Sequence, residues 1–285
     1  MINLKDKKIL VLGFARSGYS TAKILNKLGY DVTLNAYDDL STDEKAAELR
    51  ELGVKVIDGG HPLELLENID LIVKNPGIKY QIEFLQKAIE KKIDIITEIE
   101  LANTLFNIDM VAITGTNGKT TTTSLTTSIL QYAGLDACAV GNIGFTITDQ
   151  LSERKPNSWF VAELSSFQLA TTQKLHPHVA MLLNITPDHL EWHGSLEAYA
   201  AAKEKIFANL DVNDLAIVSD LDEFCLAVSS RLEARGISVC HLAQTDPGTQ
   251  NAAFLRNGAL VVRLSGKEME LVAADALHIR GVHNA

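Results

Sequence analysis

The chain has 285 residues, 46 % of them hydrophobic and 22 % charged, with a formal net charge of −10. That length is about twice a usual domain, so two domains are expected, and the composition excludes a disordered chain. The acidic balance disfavours broad binding to nucleic acid or anionic membrane, which needs clustered Lys and Arg, but leaves room for a small anion held by backbone amides.

In chain order, the apolar run Lys8–Leu12 reads as a strand, and Gly13-Phe-Ala-Arg-Ser-Gly18 opens a helical pattern through Leu28, stopped by Gly29. Asp31–Leu34, Val54–Ile57, Asp70–Lys74 and Ile93–Ile96 read as further strands, with a helix at Lys45–Leu52 and a linker from Glu98 to Asn107. Strands alternating with helices imply βαβ units and a parallel sheet. A second α/β series starts at Met110, with continuous apolar runs at 110–114, 159–164, 179–185 and 215–219, as expected of strands covered on both faces. Asn257-Gly258 between apolar runs signals a hairpin. The expected fold is therefore α/β: a Rossmann-like parallel-sheet domain over 1–98, then a central α/β domain of P-loop type over 99–285. The chain stops at Gly281-Val-His-Asn284-Ala285, just after the start of what reads as a new element, so a longer protein is expected. No apolar run approaches the ~20 residues of a membrane span, and the stretch ending at Gly13 is too short for a signal peptide. With an odd three cysteines and no metal spacing among them, a cytoplasmic protein is expected.

Gly13–Gly18 lies between a strand and a helix, where amides can hold an anion. The dinucleotide fingerprint wants a glycine where this chain has Ala15, which weakens a nicotinamide-binding oxidoreductase although Asp38 lies near the place of a ribose-binding acid. Another phosphate or nucleotide fits better, and a tight turn without ligand remains open.

Thr114-Gly115-Thr116-Asn117-Gly118-Lys119-Thr120-Thr121 carries the strongest signal. Its glycines let N–H groups converge on phosphate oxygens, Lys119 adds a positive charge, and Thr120 can ligate Mg²⁺. Glu163 closes the strand at 159–164, where P-loop enzymes place a Mg²⁺-directed acid; an ordinary strand end is the alternative. His189, past the next strand, falls at the C-terminal edge where ligands collect in open parallel sheets, with Asp188 able to orient its ring.

Ser195 can cap a helix running to about Leu210. At about 100° per residue, Leu196, Tyr199, Ile206, Phe207 and Leu210 form one stripe, with Lys203 in its middle and Lys205 opposite. A lysine on a core-facing stripe has a lowered pKa, and its neutral amine can react with CO₂ to give a carboxylate-like carbamate; snorkelling over apolar surface is the alternative.

The run T-G-T-N-G-K-T-T is similar to the ATP loop of the Mur ligases and the related folylpolyglutamate synthetases. Glu163-Leu-Ser-Ser-Phe-Gln168-Leu169, Asn184-Ile-Thr-Pro-Asp188-His189-Leu190, Gly141-Asn142-Ile143-Gly144 and Tyr199-Ala-Ala-Ala-Lys203 resemble further motifs of the Mur ligases, and the likeness covers essentially the whole chain. It implies an ATP-dependent amide ligase that joins D-glutamate to UDP-N-acetylmuramoyl-L-alanine in peptidoglycan precursor synthesis. By the same resemblance, ATP is bound by Gly115 to Thr121 and by Asn284, with Lys119, His189 and Lys203 catalytic. Two Mg²⁺ ions are implied, held by Thr120 and Glu163 and by His189 with a carbamylated Lys203. Arg16, Ser17, Asn75 and Gly77 would bind the UDP end, and Asn142, Gln168 and His189 the muramoyl-alanine end. Around Asn35–Asp38 the chain departs from the family's pattern. The D-glutamate-binding C-terminal domain is expected to be absent from this chain, which alone would be a nucleotide-binding module without turnover. A monomer acting on small molecules is expected, with no nucleic acid and no membrane insertion.

Overall fold

Residues 4, 6–106, 108–151, 155 and 157–276 are described by the structure, a computed structural model. They form two compact units, one of the described residues within 4–106, 144–155 and 171–174, the other of those within 108–143, 157–170 and 175–276.

In the first unit the elements run β1 (Lys8–Leu12), α1 (Arg16–Lys27), β2 (Asp31–Asn35), α2 (Glu44–Glu51), β3 (Lys55–Ile57), β4 (Leu71–Lys74), α3 (Glu83–Glu90), β5 (Asp94–Ile96) and α4 (Glu98–Leu105). Their strands make one parallel sheet of order β3-β2-β1-β4-β5, the Rossmann-type order. β1 is central, which is why four of its five residues are buried apolar side chains. α1 turns Gly18, Thr21, Ala22 and Leu25 inward at helical spacing. A Cβ on Gly18 would lie 1.9 Å from the Gly13 carbonyl oxygen, so only glycine lets α1 start so close to the end of β1.

The stretch expected to link the domains from Glu98 is instead α4, and it belongs with the first unit rather than beginning the second at 99. The reason is polar as well as apolar. Glu98 accepts from the Thr148 amide and hydroxyl at 3.1 Å each, and Glu100 accepts from the Gln173 and Lys174 amides at 2.9 Å each, which ties two excursions of the chain back to α4.

The second unit contains β6 (Asp109–Thr114), α5 (Lys119–Tyr132) and β7 (Ala137–Gly141). After α6 (Ile147–Leu151), which lies in the first unit, come β8 (Trp159–Glu163), α7 (Ser166–Leu169), β9 (Val179–Leu182), α8 (Leu190–His193) and α9 (Leu196–Glu204). β10 (Leu215–Ser219), α10 (Glu223–Ala234), β11 (Ser238–Leu242), β12 (Ala252–Arg256), β13 (Ala259–Leu264) and β14 (Lys267–Ala273) follow. The sheet order is β14-β13-β12-β11-β10-β9-β6-β8-β7, parallel from β7 to β12 and antiparallel through the last three strands. Asn257 and Gly258 both take positive φ, 51° and 77°, and make the expected hairpin turn between β12 and β13. β7, β11 and β14 were not legible as strands. The helix capped by Ser195 ends at Glu204, earlier than expected, and continues as a 3-10 turn at Lys205–Phe207. No helix among the described residues is long and apolar enough to cross a membrane.

Candidate active site

β6 sits between β8 and β9, so the chain leaves it toward one side of the sheet and later returns on the other. Ligands collect at the C-terminal ends of strands at such a switch point. Three connections converge there: the loop from β6 into α5, the turn after β8, and the segment after β9.

Gly115 to Gly118 form the first, and Lys119, Thr120 and Thr121 open α5. Lys119 Nζ curls back to donate to the Gly115 and Thr116 carbonyls, 2.8 Å each, and burial pushes its pKa down. Asn184, beyond β9, braces the loop in both directions: its Oδ1 accepts from the Asn117 amide at 2.8 Å and its Nδ2 donates to the Asn117 carbonyl at 3.1 Å. Thr116 Oγ1 accepts from the Thr186 amide at 3.0 Å and lies 3.2 Å from the Tyr199 hydroxyl.

Glu163 ends β8 with 1 % exposure. Thr120 Oγ1 donates to one of its carboxylate oxygens and Asn142 Nδ2 to the other, both at 2.8 Å. Gly141 allows this, because a Cβ there would lie 2.4 Å from the Glu163 carbonyl oxygen. Among the described residues no lysine, arginine or histidine forms an ion pair with Glu163. Lys119 and Lys203 act on this buried carboxylate only from beyond ion-pair distance, and a carboxylate beside a threonine hydroxyl is the hard oxygen set that Mg²⁺ takes.

Lys203, on α9, is 1 % exposed, whereas Lys205 is exposed, as the stripe requires. Its Nζ donates to the Gly115 carbonyl at 2.7 Å and to Thr114 Oγ1 at 3.4 Å, and it lies 4.7 Å from the Tyr199 ring centroid. Burial first, then the Lys119 charge, lower its pKa to about 7.

His189 takes φ 52° at the start of α8, and its ring packs 4.9 Å from Phe167 and 6.4 Å from Tyr199. Asp188 holds the His189 backbone rather than orienting its ring: Oδ1 accepts from the His189 amide at 2.9 Å, while Oδ2 is 3.6 Å from Nε2, outside hydrogen-bond range. Gln168, 8 % exposed, is engaged in a capping box with Ser165. His193, which sequence proximity alone did not single out, has Nε2 2.9 Å from Ser166 Oγ and stacks on Phe167. Tyr199 was legible only as core, yet it touches Thr116, His189, His193 and Lys203.

In the first unit, the side chain of Asn75 joins two of the other expected positions. It donates to Ser17 Oγ at 3.1 Å and accepts from the Gly77 amide at 3.0 Å. Arg16 is exposed at the first position of α1. Asn35, where the chain departs from the family pattern, is fully buried, donates to the Ile57 and Gly60 carbonyls, and lies 2.6 Å from His61 Nδ1. Asn284 lies outside the described residues.

Two family models match the sequence: "Mur ligase MurD-like, N-terminal domain" over residues 7–97 and "Mur ligase middle domain" over residues 113–285. The UDP-N-acetylmuramoylalanine–D-glutamate ligase of Staphylococcus haemolyticus is 39 % identical over 281 residues, 99 % of this chain and 60 % of that protein. The Geobacillus kaustophilus protein of the same name is 42 % identical over 264 residues, 92 % of this chain and 58 % of that one. The chain thus spans about 60 % of the length of these curated relatives. Among solved structures, it is similar to UDP-N-acetylmuramate:L-alanyl-gamma-D-glutamyl-meso-diaminopimelate ligase from Neisseria meningitides. The TM-score is 0.61 at 19 % identity, covering 98 % of this chain and 89 % of that one. UDP-N-acetylmuramate-alanine ligase from Thermotoga maritima gives a TM-score of 0.53 at 23 % identity, covering 98 % and 62 %. At these identities the structural likeness is one of fold.

Proposed function

The chain belongs to the Mur ligase family, and from that premise we propose that it carries the substrate- and ATP-binding units of a cytoplasmic, ATP-dependent ligase that joins D-glutamate to UDP-N-acetylmuramoyl-L-alanine. The observation that carries the proposal is the buried Glu163 carboxylate, gripped by Thr120 from the phosphate loop and by Asn142 from the turn after β7. That arrangement suits phosphoryl transfer, where the protein's work is charge neutralisation and alignment.

Lys119 and the amides from Gly115 to Thr121 bind the ATP phosphates, with Thr120 and Glu163 holding the first Mg²⁺. Lys203, as its carbamate, would hold a second with His189. The carbamate arises when the ammonium first loses one proton to solvent and the neutral Nζ then forms a bond to CO₂ carbon and releases a second, so a cation becomes an anion. Bound Mg²⁺ supplies positive charge to the transferring phosphoryl group. Asn142, Gln168 and His189 orient the muramoyl-alanine carboxylate toward the γ-phosphate, giving an acyl phosphate and ADP. The D-glutamate amine then displaces phosphate. Arg16, Ser17, Asn75 and Gly77 receive the UDP end of the substrate.

A thermal-shift panel of MgATP, UDP-N-acetylmuramoyl-L-alanine and NAD on this chain tests the assignment. The first two are expected to stabilise it, by about 2.7 kcal/mol at 100 times Kd, and NAD to leave it unchanged. Stabilisation by NAD alone would overturn it.

A further inference from the structure

Lys74 closes β4 with 2 % exposure, and among the described residues it forms no ion pair. Its ammonium donates to the carbonyls of Asn75 at 3.0 Å, Pro76 at 3.2 Å and Ile78 at 2.8 Å, with the Tyr80 ring centroid 5.0 Å away. An ammonium has three N–H donors, and here each carbonyl of one short turn matches one of them.

That turn is locked onto the glycine turn at the start of α1. The Asn75 amide donates to the Leu12 carbonyl at 2.9 Å, and its side chain bridges Ser17 Oγ and the Gly77 amide. A Cβ on Gly13 would lie 2.9 Å from Ile78 and 3.0 Å from Asn75, so the two turns meet at the limit of contact. An ammonium is a poor way to fill such a site if packing were its purpose. Replacing a whole buried ion pair by apolar side chains is often neutral or stabilising, but removing the Lys74 ammonium alone would leave three carbonyls without their donor. What the charge adds is geometry: a single point to which three carbonyls are drawn.

We propose that Lys74 is a positioning residue for the nucleoside-diphosphate end of the substrate, holding the 75–78 turn so that Asn75 and the Gly77 amide stay presented beside Ser17. Lys74's role rests on the assignment of the first unit as the UDP-binding unit. Burial lowers the Lys74 pKa to about 8. The neutral amine has only two N–H groups, so one carbonyl loses its donor as pH rises past that value. Tyr80 is the titratable group facing the ammonium, and burial pushes its own pKa upward. The charged residues on the flanking strands, Lys8 of β1 and Asp94 of β5, lie at the opposite end of the sheet, where Asp94 pairs in register with Leu71. Lys74 shares the face of Ile72, which packs against Leu66 and against Phe84 and Leu85 of α3; the charged residues there, Glu64, Glu67, Glu83, Lys87 and Glu90, are all exposed. On α4, whose Leu101 packs with Val73 on the other face, Glu98 is engaged by Thr148 and Glu100 by Gln173 and Lys174.

The test is calorimetric titration of this chain with UDP, wild type and Lys74→Met, from about pH 7 to about pH 8.5, with amide exchange of residues 75–80. If only the ammonium form is competent, the wild-type Kd rises about fourfold across that range. Lys74→Met is expected to bind UDP more than tenfold more weakly at pH 7, without pH dependence, and with faster exchange in the turn. UDP binding that is pH-independent and unchanged in Lys74→Met overturns the proposal alone. Should that variant fail to fold, a flat wild-type profile overturns it. Absence of UDP binding by the wild type at every pH overturns the underlying assignment of the unit as well.

Discussion

Lys203 donates to the carbonyl of Gly115 at 2.7 Å, although 88 residues separate them in the chain. One buried amine thereby ties α9 to the backbone of the phosphate loop, and its neighbours are another ammonium, Lys119, and the Tyr199 ring. A lysine so placed has its charged form destabilised by burial and by like charge, which is the condition for amine chemistry near neutral pH.

Carbamylation of Lys203 is therefore expected to follow the pH. With the pKa lowered to about 7, the reactive neutral amine dominates above that value and is lost as pH falls through it. In ¹³C-bicarbonate a carbamate resonance should appear near pH 8, fade below about pH 7, and be missing from Lys203→Arg, whose guanidinium does not carbamylate. Its persistence in Lys203→Arg would assign it to another amine.

Lys119→Ala should abolish MgATP binding while leaving UDP binding largely intact, because the phosphate loop and the Ser17–Asn75–Gly77 cluster belong to different units. Calorimetry with each ligand checks this. A parallel loss of both affinities in a folded variant would refute two independent sites.

Glu163→Gln preserves shape and can still accept from Thr120, but removes the charge that Mg²⁺ needs. ATP affinity should then lose most of its Mg²⁺ dependence. Full retention of that dependence would reduce Glu163 to a strand-end residue.

Glu98 offers a stability test in the first unit. Burial above all raises its pKa from 4.5 to about 7, although hydrogen bonds from Thr148 oppose the shift. A raised folded-state pKa means the protonated form is favoured by folding, so this contribution is full below about pH 4.5 and is lost as pH rises through about 7. Glu98→Gln keeps an acceptor for Thr148 and cannot ionise. It should stabilise the chain at pH 8 by on the order of 2–3 kcal/mol and change little near pH 4. Equal effects at both pH values in denaturant titrations would show that ionisation of Glu98 is not the cause.

Much of this was legible because it is local. β1, β6, β8 and β10 are continuous apolar runs, and the Asn257-Gly258 turn needs two positive φ values that those residues tolerate. The phosphate loop was visible for the same reason: its glycines, lysine and threonine act within eight consecutive residues. Lys203 was visible because helical periodicity alone puts it on the buried face. β7, with alternating small residues, and β14, mostly exposed, carry too little apolar pattern to be read as strands.

The sequence by itself determined the α/β class, the phosphate loop, the buried lysine of α9 and the membership of a family, since each depends on spacing within one element or on contiguous motifs. Only the tertiary structure decided which distant side chains meet. It brought Asn142 and Thr120 onto Glu163, engaged Asp188 with the His189 backbone instead of its ring, gave Tyr199 its contacts to the loop and two histidines, and moved α4 from a linker into the first unit. It also turned Lys74, which the sequence shows only as the last residue of the strand run Asp70–Lys74, into a buried ammonium at the centre of three carbonyls. Strand order is the physical reason. Periodicity states which face of an element is buried, but the neighbours it meets there are set by how β6 is inserted between β8 and β9 and β1 between β2 and β4, and no local pattern records that choice.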